Sequence, residues 1–107
     1  MSLKWPPKDK DETLDYSIDW SRALEGGETI STVSWSIVDS SNTKVSFGIG
    51  TTVNTLKNLT QTNTSTVATI YLQAGTDNQE YQLYCSVTTS ADRIKERSVK
   101  IRIREYN

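Results

Sequence analysis

Histidine is absent from the 107 residues, and with it go the side chain most often used as a general base near neutral pH and the commonest nitrogen ligand for metals. Nucleophilic catalysis by a serine or cysteine paired with an imidazole is therefore ruled out. The single thiol, Cys85, falls by parity on the inward side of an alternating run, where cysteine packs as a small hydrophobe. Asp9-x-Asp11-Glu12-x-x-Asp15 offers carboxylate oxygens of the kind calcium takes. It has neither the glycine nor the bidentate spacing of a calcium loop, and Lys8 and Lys10 oppose a cation there. Gly48-Ile49-Gly50 lacks the flanking pattern and the following helix of a phosphate-binding loop. Asn58-Leu59-Thr60 and Asn63-Thr64-Ser65 match the glycosylation tripeptide, but no secretory apolar core precedes them, and chance matches are expected in a Thr/Asn-rich stretch. The expectation is a protein that is not an enzyme and has no catalytic, cofactor-binding or metal residues.

Binding chemistry is better supplied. Of three tryptophans, Trp35 fits an inward strand position and Trp20 the core or its edge. Trp5 lies between prolines and charges, where it either packs back on the domain or docks on a partner. Lys100, Arg102 and Arg104 form an outward ladder near the end of the chain. With Trp5 they are the candidate partner-binding residues. The ladder, with Tyr84 and Tyr106 near it, has the charge to hold an acidic surface, yet a formal net charge of −1 argues against nucleic acid as a partner.

The elements that must carry these residues are strands. Leu14, Tyr16, Ile18 and Trp20 alternate with Asp15, Ser17 and Asp19, the period of a strand with one dry face and one wet one. Val33, Trp35 and Ile37 repeat the pattern, as do Val45, Phe47 and Ile49. Thr51 to Ser65 reads as a loop with a short strand near Lys57 to Leu59. Ala68, Ile70 and Leu72 make a further inward set. Tyr81, Leu83, Cys85, Val87 and Thr89 form the longest alternating run, and Val99, Ile101 and Ile103 close the series, with the last two strands expected as a hairpin around Ser90-Ala91-Asp92-Arg93. Turn signals, among them Glu25-Gly26-Gly27-Glu28 and Asp39-Ser40-Ser41-Asn42, recur about every ten residues, and no amphipathic helix is present. The expected fold is all-β, an immunoglobulin-like β-sandwich of about seven antiparallel strands with Greek-key connections.

Residues 1–13, with Trp5-Pro6-Pro7 and the charge run Lys8 to Glu12, are expected to form a flexible polar N-terminal arm, and residues 14–107 the sandwich domain. Acidic residues crowd the first quarter of the chain and basic ones its end. If the first strand lies beside the last, Asp15 and Asp19 face Lys100, Arg102 and Arg104 and help set the register. A lone cysteine excludes an internal disulfide and fits either a reducing compartment or a disulfide-free particle. No stretch approaches the roughly 20 apolar residues of a membrane span, so no membrane is expected as a partner.

The string from Lys8 through Asp15-Tyr16-Ser17-Ile18-Asp19-Trp20, followed by Glu28-Thr29-Ile30-Ser31-Thr32-Val33-Ser34-Trp35, resembles the opening of small tailed-phage and prophage virion proteins with an immunoglobulin-like fold, the fiber–tail adaptor-like family. Gly75-Thr76, Glu80-Tyr81-Gln82-Leu83, Thr88-Thr89-Ser90-Ala91-Asp92-Arg93 and Glu96-Arg97-Ser98-Val99 match its closing segment, while residues 39 to 65 are less alike and Asp92 stands where a glycine is usual. The resemblance implies a non-enzymatic structural or adaptor protein of the tail, fiber or head–tail region. Its expected partners are other virion proteins and, in a symmetrical particle, further copies of itself. Its expected location is the virion, or the bacterial cytoplasm before assembly if prophage-encoded. The alternative is an immunoglobulin-like module binding carbohydrate or a cell surface through exposed Tyr and Trp.

Overall fold

The computed structural model describes residues 3–104. Nine strands follow one another among them: β1 (Leu3–Lys4), β2 (Thr13–Asp19), β3 (Ile30–Val38), β4 (Lys44–Ser46), β5 (Thr52–Val53), β6 (Leu56–Asn63), β7 (Val67–Ala74), β8 (Glu80–Thr89) and β9 (Ile94–Arg102). They build a β-sandwich of a five-stranded sheet, β1-β9-β8-β3-β4, and a four-stranded sheet, β2-β7-β6-β5. The alternation in the sequence supplies the shared core. Trp35, Ile37, Leu83, Cys85, Val87, Val99 and Ile101 point in from one sheet and Ile18, Leu56, Ala68, Ile70 and Leu72 from the other, all buried. Each such aliphatic side chain stabilises the fold by roughly 1.5–3 kcal/mol relative to exposure. The β8–β9 hairpin forms as expected, with Thr88 opposite Ile94. Asp92, at φ 62°, takes the left-handed turn position that glycine fills at lower cost.

Three expectations need correction. Residues 51–65 are mostly strand: β6 runs through the Thr/Asn stretch, and a bulge between Asn58 and Thr60 breaks the period-two signal that would have revealed it. Ile49 does not continue the inward face of Val45 and Phe47. The chain leaves β4 after Ser46, so Phe47 is buried and Ile49 is 62% exposed. The strand carrying Asp15 and Asp19 does not lie beside the last strand. It pairs with β7 in the other sheet, Asp15 opposite Tyr71 and Asp19 opposite Val67, so these carboxylates are no register device for Lys100 and Arg102. To the expected antiparallel strands the structure adds one parallel pair, β1 running alongside β9 with Lys4 opposite Lys100.

That parallel pairing changes the picture of the N-terminal residues. Trp5 N donates to Lys100 O at 2.9 Å, Lys8 N to Arg102 O at 3.0 Å, and Arg104 N to Lys8 O at 2.8 Å. Pro6 and Pro7, which have no N–H to give, occupy the interval between those bonds, as prolines do at sheet edges. Residues 3–8 thus lie along β9 as an edge strand rather than apart from the domain. Too short to alternate, the segment carries no periodic signal. If it seals the sandwich as described, Trp5→Ala should lower stability by about 3 kcal/mol, read from the shift in urea midpoint by circular dichroism, whereas Arg104→Ala at the exposed end should stay within about 0.5 kcal/mol.

Candidate docking surfaces

The four candidate partner-binding residues divide. Trp5 packs back: it is buried, stacks on Tyr16 at 4.9 Å between ring centroids and 21° between planes, and meets Trp35 at 5.9 Å and 48°. Its indole N–H donates to Ser17 O on β2 at 3.3 Å, so one side chain ties the edge of one sheet to the edge of the other. Lys100, Arg102 and Arg104 stay on the outer side of β9, Arg102 and Arg104 exposed and Lys100 half-buried beside Lys4 and Gln82. Lys100 also lines an open cleft of about 380 Å³ with Asp39, Asn42, Asn54, Glu80 and Gln82. Tyr106 lies outside the described residues.

Lys8 is the residue that sequence reasoning missed. Expected in solvent, it is fully buried, and its Nζ donates to Asp9 O at 2.7 Å and Ala74 O at 2.8 Å. Burial pushes its pKa down, and the charges of Glu12, Asp9 and Asp11 pull the other way. Ala74 begins the tight corner into Gly75, whose φ of 108° and close approach to Ile103 leave no room for a Cβ. No pattern distinguishes Lys8 from Lys10 in the sequence; only the parallel pairing with β9 selects it. The neighbouring acids cap their own turn: Asp9 N donates to Glu12 Oε1 at 3.1 Å and Asp11 N to Asp9 Oδ1 at 2.8 Å.

A second polar cluster ties the β2–β3 connection to the β8–β9 turn. Glu28 accepts from Arg93 through Nε at 2.9 Å and Nη2 at 2.6 Å, and from the Thr89 hydroxyl. Thr29 N and Ser90 Oγ, with Ser90 N and Thr29 O, add two more links. The Arg93 and Thr89 hydrogen bonds hold the Glu28 carboxyl far below the usual range, and Glu28 in turn raises Arg93. Bidentate pairing of this sort fixes geometry as well as charge.

The outer face of the five-stranded sheet is floored by small hydroxyls, Ser34, Ser36 and Ser86, aligned across β3 and β8. Over it Lys44 of β4 reaches Glu96 of β9 at 2.8 Å, its ammonium 4.3 Å from the centre of the Tyr84 ring. Asn58 is buried and donates through Nδ2 to Phe47 O at 2.9 Å and Gln61 Oε1 at 3.0 Å, so this glycosylation tripeptide has no accessible acceptor. Cys85 is buried, and desolvation pushes its thiol up to about 12 against the smaller pull of the Trp20 indole N–H and of Arg97.

A sandwich whose buried polar groups clip its own loops, and whose outward chemistry lies in strand edges and charged faces, belongs to the class of structural and binding modules. Residues 8–102 match the model of the family described as podophage GP4 fiber-tail adaptor protein gp77, and the chain belongs to that family of phage tail structural proteins. No curated protein matches it.

Two measurements follow. Glu28 is ionised more readily folded than unfolded, so its contribution is complete above the ordinary glutamate value of about 4.3 and is lost as pH falls below it. Melting temperature should therefore drop more steeply between neutral and acid pH for the native chain than for Glu28→Gln; parallel curves would contradict the pairing. Cys85 should react with a thiol reagent only in denaturant, with labelling of the folded chain at least about 100-fold slower.

Proposed function

We propose that this protein is a non-enzymatic adaptor in the tail region of a phage particle, working through protein–protein contacts with other virion proteins. One observation carries the reading: the match to a fiber-tail adaptor family extends over residues 8–102, nearly all of the sandwich. The immunoglobulin-like reading of that sandwich draws support from its strand order. β2-β7-β6 faces β9-β8-β3-β4, the arrangement of a variable-type immunoglobulin sandwich. At the start of β8, Tyr81 accepts from Thr76 N at 2.8 Å and donates to Asn54 O at 2.6 Å, which fits the tyrosine corner of such domains.

The partner-facing residues in this reading are Lys100, Arg102 and Arg104, joined by Lys4 across the β1–β9 pairing, a cationic strip that suits an acidic protein surface. Trp5 supports it from beneath, as the anchor of the edge strand. Before assembly the chain resides in the bacterial cytoplasm, and afterwards in the virion. The carbohydrate-binding alternative needs ring faces at the surface; Trp5, Trp20 and Trp35 are buried, which leaves Tyr71 and Tyr84, both half-buried, as the rings it would use.

Purified particles probed with an antibody to the protein should contain it, and its absence from them would sink the adaptor role. Replacing Lys100, Arg102 and Arg104 together by Glu should leave the fold intact and cut incorporation into particles about tenfold or more; undiminished incorporation would move the interface elsewhere.

A further inference from the structure

We propose that the outer edge of β6, from Leu59 to Asn63, is a self-pairing edge, at which a second copy of this chain adds its own β6 antiparallel about Gln61. This stands apart from the adaptor role. Thr64 N donates to Val67 O, and stepping back along the register, in which Thr62 faces Thr69 and Thr60 faces Tyr71, these threonines are the residues bonded to β7. Gln61 and Asn63 then aim their N–H and C=O groups away from β7. On that side β5 pairs only with Leu56 and Lys57, and Asn58 completes the contact by bonding Thr51 and Gly50. Beyond Asn58 no strand lies alongside β6 among the described residues.

Open strand edges are normally shielded by charge, proline, shortness or a covering segment, and the other edges here show each device. The Val99–Lys100 end of β9 is covered by β1, with Pro6 and Pro7 following. β4 is three residues long and carries Lys44. β2 bears Asp15 and Asp19, and pairing two copies of it about Ser17 sets Asp15 of one against Asp19 of the other. The edge of β6 has no such defence. Between Lys44 and Asp77 the sequence holds one charged residue, Lys57. Pairing two β6 strands about Gln61 sets Thr60 against Thr62, Leu59 against Asn63, and Lys57 against Ser65, so no like charges meet.

The edge also exposes apolar surface. The Gly50 N to Asn58 O hydrogen bond, at 2.7 Å, brings together the residues that flank it, Ile49 and Leu59, which are 62% and 39% exposed. Neutrality selects the occupant. A charged strand finds nothing here to complement it, whereas an identical strand meets uncharged residues at every position, with β-branched Thr60 against Thr62, a combination that favours cross-strand pairing.

Sedimentation of the full chain from micromolar to millimolar concentration, with amide exchange followed at Gln61 and Asn63, tests the idea. The expected result is a dimer in which both amides slow as concentration rises, and an association weakened about tenfold or more by Thr62→Lys, which places a charge on the edge. A monomer at every concentration, a dimer whose two amides stay fast, or a dimer indifferent to Thr62→Lys would overturn it. Should that variant fail to fold, the amide readout on the native chain decides alone.

Discussion

Two sheets stacked face to face leave a seam wherever their edges run side by side, and along the β9–β2 side of this molecule the seam is closed by one indole. Trp5 hangs from the backbone of β9, lays its ring on Tyr16 and Trp35, and gives its N–H to Ser17 on β2. Much else follows from that placement. It fixes the parallel path of residues 3–8, which brings Lys8 against the β7–β8 corner and its ammonium to the Ala74 carbonyl. It also determines that the basic residues of β9 flank a covered edge rather than an open one.

Polar side chains at the ends of the sandwich clip one connection to another. Lys8 joins the N-terminal strand to the β7–β8 corner, Glu28 and Arg93 join the β2–β3 connection to the β8–β9 turn, and Tyr81 joins that same corner to the β5–β6 turn. Where the clip is buried, as at Lys8, removing its partner leaves the ammonium desolvated and unpaired, which costs more than the intact bond contributes. The flat faces are spared this work. Their serines and threonines satisfy one another or face water, as Ser17 and Thr69 do at 2.7 Å, and the surface stays free for contact with other proteins.

Alternation made most of the fold legible: wherever one face of a strand is buried along its whole length, as in β7 and β8, parity named the core residues in advance. It failed where the backbone departs from regular pleating. The bulge in β6 hid a strand inside a Thr/Asn stretch, and the departure of the chain after Ser46 reversed Ile49. Long-range pairing was opaque for a different reason. Nothing in Leu14 to Asp19 says which sheet it joins, and the assumption that the first strong strand neighbours the last put Asp15 and Asp19 on the wrong surface. The candidate sites divide the same way. The outward placement of Lys100 and Arg102 was legible because parity is local, whereas the burial of Lys8 and the pairing of Glu28 with Arg93 depend on residues far away in the chain.

The pairing of β1 with β9 also has a meaning for how the protein is made. The ribosome delivers Trp5 long before Lys100, to whose carbonyl its N–H bonds, so the seam stays open until β9 has emerged. Contacts between such distant segments form late and slowly, and until then Trp35 and Tyr16 lack their cover and are exposed to proteases and chaperones. Chains that stop short of β9 never acquire the sealed form. A closed seam therefore marks a chain that has made both halves of the pairing, and an open one a chain that still lacks β9.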